Sequence, residues 1–302
     1  MNGFLQMAGI QSVLFLYMLV GYVSRKTGLL GPDARKSFTD FVIYIALPCM
    51  IFQSFDMEMT AETLRTGATA LFIASGMACA ALLVGRFAYG WCRPRERCIL
   101  QYGTLVSNSG FAGLPVVESA YGAAGLFLGS LFIIPTRILM WSAGISLFTD
   151  APRAQRFKNV MLNPGILAVE AGILRMVLGI PLPAQLNRAL SALGGCTTPL
   201  AMAIVGMILA QVDWRTVLEP KAFLLAAVRQ LALPLALLAV LKALGTDPLT
   251  LQVAVVLTGM PIGSTTAILA AKYGADADFA SKAVFISTLT SLVTVPFLTL
   301  FL

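Results

Sequence analysis

Two apolar stretches of this chain, SNSGFAGLPVVESAYG (Ser107 to Gly122) and TGMPIGSTTAILAAKYG (Thr258 to Gly274), are interrupted near their middles by Gly, Pro and small hydroxyl residues. They occupy corresponding places in the two halves of the chain. In hydrocarbon a helix keeps its backbone hydrogen bonds internal. A break is tolerated only where the freed groups face protein or a water-filled cavity. A matched pair of broken segments, one per half, is the sequence mark of a transporter's binding site.

The rest of the chain agrees with a membrane setting. It is 58% hydrophobic and only 12% charged, against about 25% charge in soluble domains. A span needs about 20 apolar residues, so ten spans would use roughly 200 of the 302, leaving short loops and no separate soluble domain. Phe4 to Val23 runs apolar for too long to be a cleaved leader, and Arg25 and Lys26 follow it rather than precede it, so it is expected to be the first span. The five cysteines form no CxxC pair and read as small core residues. The chain has no histidine, which removes Ser-His catalysis, His-ligated metals and His proton relays. No cofactor or metal is expected.

Ten apolar segments are predicted, at about 4–23, 38–55, 67–90, 98–121, 126–148, 164–182, 190–210, 221–241, 249–271 and 283–302. Asn163-Pro164, Glu219-Pro220 and Asp247-Pro248 each put a polar residue at a cap and Pro at the first helical position. With this span count, fifteen Lys and Arg fall in loops on one side, including Arg25, Arg35, Arg95, Arg153, Arg215 and Lys272. Four fall on the other: Arg65, Arg175, Arg188 and Lys242. Loops rich in Lys and Arg stay cytoplasmic, so both termini are expected outside. The net charge of +7 then reports topology, not nucleic-acid binding.

The halves also resemble each other. The second span of each carries a proline (Pro48, Pro199), and each broken segment ends in Tyr-Gly (Tyr121-Gly122, Tyr273-Gly274). Five spans per half make the two repeats face opposite ways across the membrane. The expected domains are residues 1–150, a cytoplasmic linker 151–163, and residues 164–302. The match is imperfect: Pro115 lies six residues before its Tyr-Gly and Pro261 twelve before its own.

GYVSRKTGLL, FVIYIALPCMIF, NSGFAGLP, NPGI, TTPLAMAIVGMILA, MPIGSTTAILAAKYGAD and STLTSLVTVPF together resemble the auxin efflux carrier family of transporters, from about Gly21 to Leu302. The resemblance implies an all-α membrane protein with ten transmembrane helices as two inverted five-helix repeats. Helices four and nine are then broken and cross, and a static scaffold formed by helices one, two, six and seven supports a moving transport domain. It puts the crossover prolines at Pro115 and Pro261 and the family's fourth-helix Asn at Asn108, and it suggests a homodimer. Bacterial relatives imply malonate or malate as substrate. The chain lacks the long cytoplasmic loop of the large plant members and reads IGSTTA around its second break, so auxin is not the expected substrate.

The residues themselves point to an anion site. A broken helix leaves N–H groups unpaired at the start of its second half, and the dipole adds about half a positive charge there. Asn108, Gly113, Pro115, Pro261, Gly263, Ser264 and Thr265 are the expected substrate-binding residues at the breaks. Arg137, inside the fifth span, joins them as a buried cation. Arg229, inside the eighth, is a second candidate, and Glu170 a partner of either arginine or a proton carrier. Glu118 is expected in a solvated outer loop.

Three functions compete. The first is a secondary transporter of small organic anions, most simply dicarboxylates, in the bacterial inner membrane. The second is an intramembrane enzyme, which lacks its usual constellations here: no His, no paired membrane aspartates, no HExxH. The third is a sodium- or proton-coupled carrier of another organic anion on the same inverted-repeat fold, like bile-acid transporters. Those show acidic residues at the crossover, whereas this crossover is uncharged. The topology has its own check. A reporter inserted in the 3–4 loop near Arg95 should report the cytoplasm, and a periplasmic signal there would overturn the span assignment.

Overall fold

The computed structural model describes residues 2–58, 60–149, 161–210 and 217–302. Residues 151–160 of the expected linker, with Arg153, Arg156 and Lys158, lie outside the described residues, as does Arg215. The described chain is helical throughout, without a named strand. Its first part contains α1 (Asn2–Lys26), α2 (Pro32–Phe41), α3 (Leu47–Gln53), α4 (Ala61–Ala88), α5 (Pro94–Leu105) and α6 (Leu114–Leu139). The second contains α7 (Pro164–Leu178), α8 (Ala184–Gly195), α9 (Thr197–Leu209), α10 (Pro220–Ala227), α11 (Leu233–Ala243), α12 (Pro248–Thr258), α13 (Thr265–Lys272) and α14 (Ala277–Leu298).

Among the described residues, six helical stretches are long and apolar enough to cross a membrane: Leu5–Lys26, Ala61–Ala88, Ser109–Leu147, Ala184–Leu209, Pro220–Ala243 and Ala277–Leu298. Other expected spans are broken or short. Helix α5 has 12 residues, α7 has 15 and α12 has 11. The 39-residue stretch Ser109–Leu147 is two helices, because Gly122 inside α6 has φ +64° and ψ −156°. Gly274 has φ +71°. Both Tyr-Gly pairs therefore end a half-helix on a left-handed glycine, the residue that bears this conformation without steric cost.

Three prolines explain three local distortions. Leu47-Pro48, Leu114-Pro115 and Leu233-Pro234 each follow directly on a π turn, at Val42–Ala46, Ser109–Gly113 and Val228–Ala232. In each, the leucine N–H reaches back five residues, to the carbonyls of Val42, Ser109 and Val228 respectively. Proline cannot donate and crowds the preceding turn. A widened turn relieves that crowding while the helix continues. Pro115 thus sits inside a continuing helix. The true break lies at Val106–Asn108, ending seven residues before Pro115.

The capping expectations divide. The Asn163 side chain accepts from the N–H of Gly165 and Ile166, and Asp247 from that of Thr250. Glu219 makes no side-chain cap bond. Arg175, expected in an outer loop, lies in the last turn of α7, nine-tenths buried and paired with Asp56. Glu118 is half-buried within α6 rather than in a loop, because the helix runs on to Tyr121 before Gly122 turns it.

The tightest helix pair is α1 with α9. A Cβ on Gly206 would lie 1.9 Å from the Met18 carbonyl oxygen, and one on Gly21 would lie 2.0 Å from that of Ala203. Such backbone approach is how small residues join membrane helices. A large apolar core runs from α1 and α9 through α4, α6 and α12. A second cluster gathers α5, α10, α13 and α14 around Ile262. Gly206→Ala should force α1 and α9 apart and cost about 1–3 kcal/mol, read as a lower melting temperature of the detergent-purified protein. Gly76→Ala, with nothing within 4 Å of its added Cβ, should leave melting unchanged.

Candidate functional site

The two broken segments cross. Between α5 and the π turn that opens the next helix, residues 106–108 are unwound; between α12 and α13, residues 259–264 are. Ser107 and Ile262 form an antiparallel bridge. The Asn108 N–H donates to the Pro261 carbonyl at 2.7 Å, and the Gly263 N–H donates to the Val106 carbonyl at 2.9 Å. Gly263 eases this approach, since a Cβ there would press on the Val106 side chain at 3.1 Å. Measured from the crossing residues, Tyr121 lies thirteen residues after Asn108 and Tyr273 twelve after Pro261. The mismatch seen when counting from Pro115 disappears.

Each second half-helix starts at the crossing. The N–H groups of Ser109, Gly110 and Phe111, and of Ser264 and Thr265, make no hydrogen bond among the described residues. Such groups, together with the dipole of each half-helix, favour a negative charge nearby. The Thr265 hydroxyl accepts from Tyr102 Oη at 3.1 Å, which ties α13 to α5. The Ile262 N–H donates to Ser287 Oγ at 3.3 Å. Gln230 Nε2 donates to the Ser287 carbonyl, and Thr290 Oγ1 to Gln230 Oε1 at 2.6 Å. Helix α14 and the π turn at Val228–Ala232 therefore buttress the crossing from behind.

Arg137 lies beside this arrangement. Its Nη1 donates to Asn163 Oδ1 at 3.0 Å. Its guanidinium rests where side chains at Gly110 and Gly165 would otherwise be, 2.7 Å and 2.9 Å from their ideal Cβ positions. Asn163 thus caps α7 and orients Arg137 with the same oxygen. Glu170 does not pair with it, being exposed on α7. Arg229 is 4% exposed, and its Nε has no partner. The ion pairs among the described residues are Arg175–Asp56, Lys221–Glu96 and Lys282–Asp278. Neither the half-buried Arg137 nor the buried Arg229 is matched by an acid there.

The remaining expected residues divide by role. Asn108 is 6% exposed and lines a cavity of about 20 Å³ at the crossing, with Pro261, Gln11, Thr288 and Ser291. Gly113 is a packing glycine, facing Leu257 and Met260, and Pro115 is buried in the helix beyond. Gln11, Tyr102 and Ser287 were not anticipated, and Asn163 was anticipated only as a helix cap. Their only sequence signal is a lone polar group inside an apolar span or at a cap. A groove of about 800 Å³ between α4 and α11 is lined by residues such as Phe72, Leu237 and Val240 and reaches none of the crossing residues. Among the described residues no cluster of acids or thiols suits a metal.

A family model described as "Membrane transport protein" matches residues 10–160 and 151–299. The chain belongs to this family, that of the auxin efflux carrier-like transporters. It is 27% identical to an "Uncharacterized transporter" of Methanothermobacter thermautotrophicus, over 95% of both chains. It is 23% identical to a "Putative malonate transporter" of Rhizobium meliloti, over 96% of this chain and 94% of the other. It is also 23% identical to the "Uncharacterized transporter YfdV" of Escherichia coli K12, over 94% and 93%. This family member is a membrane transporter, and its relatives are described as transporters rather than enzymes.

The site geometry separates position from stability at Gly110. Gly110→Ala adds a Cβ that meets only the far end of the Arg137 side chain, which can swing away at small cost. Melting should stay within a few degrees while Arg137 leaves its place. Transport should fall at least tenfold. Full activity with an unchanged fold would remove Arg137 from the site.

Proposed function

We propose that this transporter moves small organic anions, specifically dicarboxylates such as malonate or malate, by alternating access. The reading comprises ten spans in two inverted five-helix repeats, residues 1–150 and 164–302, joined by the cytoplasmic segment 151–163. Both termini face outward from the bacterial inner membrane. Support for inverted repeats comes from the antiparallel crossing, the two left-handed Tyr-Gly ends and their near-equal spacing from the crossing.

One observation carries the substrate class. The crossing gathers two half-helix N-termini and the Arg137 guanidinium, with no acidic partner for Arg137 or Arg229 among the described residues. A cation held half-buried, like Arg137, or buried, like Arg229, in such surroundings is costly unless an anion meets it. Asn108, Pro261, Gly263, Ser264 and Thr265 then form the crossing side of the substrate site. The relative described as a malonate transporter makes a short diacid the first substrate to test.

A homodimer completes the reading. Glu170 is exposed on α7 beside Leu167 and Leu174, which are 44% and 58% exposed and share its helix face. A carboxylate in such an apolar face is expensive in lipid. A second copy covering it would remove that cost.

The test is uptake of labelled malonate and malate into vesicles reconstituted with the purified protein. Saturable uptake is expected. Asn108→Ala removes an amide able to donate to a carboxylate, worth about 1.5–3 kcal/mol, so half-saturation should rise tenfold to a hundredfold. Uptake of neither diacid would overturn the substrate class. Unchanged half-saturation in the variant would place the site elsewhere.

A further inference from the structure

We infer that Gln11 on α1 is a substrate-contacting, specificity-determining residue that holds the end of the anion remote from Asn108; this rests on the dicarboxylate reading above. Gln11 is 7% exposed and Asn108 6%. Both line the same cavity of about 20 Å³. Neither side-chain amide makes a hydrogen bond among the described residues. Neither amide is among the fully enclosed unpartnered polar atoms, so both open onto accessible space and stand on one cavity wall as donors available to a ligand.

The other polar groups on that wall are already committed. Thr288 Oγ1 donates to the Val284 carbonyl at 2.7 Å, and Ser291 Oγ to the Thr288 carbonyl at 2.7 Å. Their hydroxyl protons are used within α14. The two amides remain as the free donors. The rest of the lining is apolar, with Met202 and Met260 among it. A ligand with an anionic group at each end and a short apolar middle satisfies both amides and both apolar walls.

The two amides sit on different elements of the fold. Gln11 belongs to α1, which is joined to α9 by the backbone contacts at Gly21 and Gly206. Asn108 belongs to the crossing. A volume of about 20 Å³ holds about one water, so a diacid enters only when the crossing moves away from α1. Closure onto the substrate then brings its far end against Gln11. The separation of the two amides in the closed form therefore selects chain length.

The experiment measures uptake of malonate, succinate and glutarate into vesicles by wild type, Gln11→Asn and Gln11→Leu. Gln11→Asn withdraws the amide by one methylene, and the preferred diacid should lengthen by one methylene. Gln11→Leu keeps the side-chain bulk, and uptake of all three should fall at least tenfold while the protein stays monodisperse. An order of preference unchanged in Gln11→Asn overturns the assignment. So does uptake in Gln11→Leu within threefold of wild type. No saturable uptake of any of the three by wild type overturns the dicarboxylate reading and this assignment with it.

Discussion

Two backbone hydrogen bonds, from Asn108 to Pro261 and from Gly263 to Val106, are the constraint on which the site depends. A single broken helix in a membrane protein exposes donors and acceptors that lipid cannot satisfy, at a cost of several kcal/mol each. Here the two breaks satisfy each other. Each needs the other at the same depth and in antiparallel orientation, which is why a matched pair appears in the two halves. The pairing is short, because only three residues on one side are unwound. The helices resume at once, and their first-turn N–H groups are left facing the crossing.

That residue of unmet donors makes the electrostatics. Two partial positive charges and the Arg137 guanidinium converge with no opposing carboxylate among the described residues. The protein positions Arg137 without neutralising it, using a neutral amide, Asn163, and two glycines whose missing side chains make room. A salt bridge would have oriented it as well, but would have cancelled its attraction for an anion. The same economy holds at Gln230, Ser287 and Thr290, where a neutral relay supports the crossing.

Much of this is legible in the sequence, and the failures have physical causes. Gly, Pro and small hydroxyl residues pointed to both breaks, and Tyr-Gly to both ends, where Gly122 and Gly274 take a positive φ that other residues rarely adopt. Pro115 misled because proline marks a distorted helix as readily as an interrupted one. Leu-Pro after a π turn occurs also at Pro48 and Pro234, where the helix simply continues. Glu170 was a plausible partner by composition alone; helix phase puts it on the outside. Gln11 carries no motif. Its meaning comes from α9 and the crossing, which are distant in sequence and meet it only in the fold.

The α1–α9 seam and the cavity at the crossing are packed in different ways. Between α1 and α9 the backbones touch at two levels. Separation there would forfeit close packing along much of both helices. At the cavity beside Asn108 the contact is different: apolar side chains and unpartnered amides, with about 20 Å³ between them. Such a surface gains little from staying shut, because its polar groups remain unsatisfied until something with acceptors enters. Under the alternating access proposed above, a substrate that completes the hydrogen bonds of that boundary would make closure favourable.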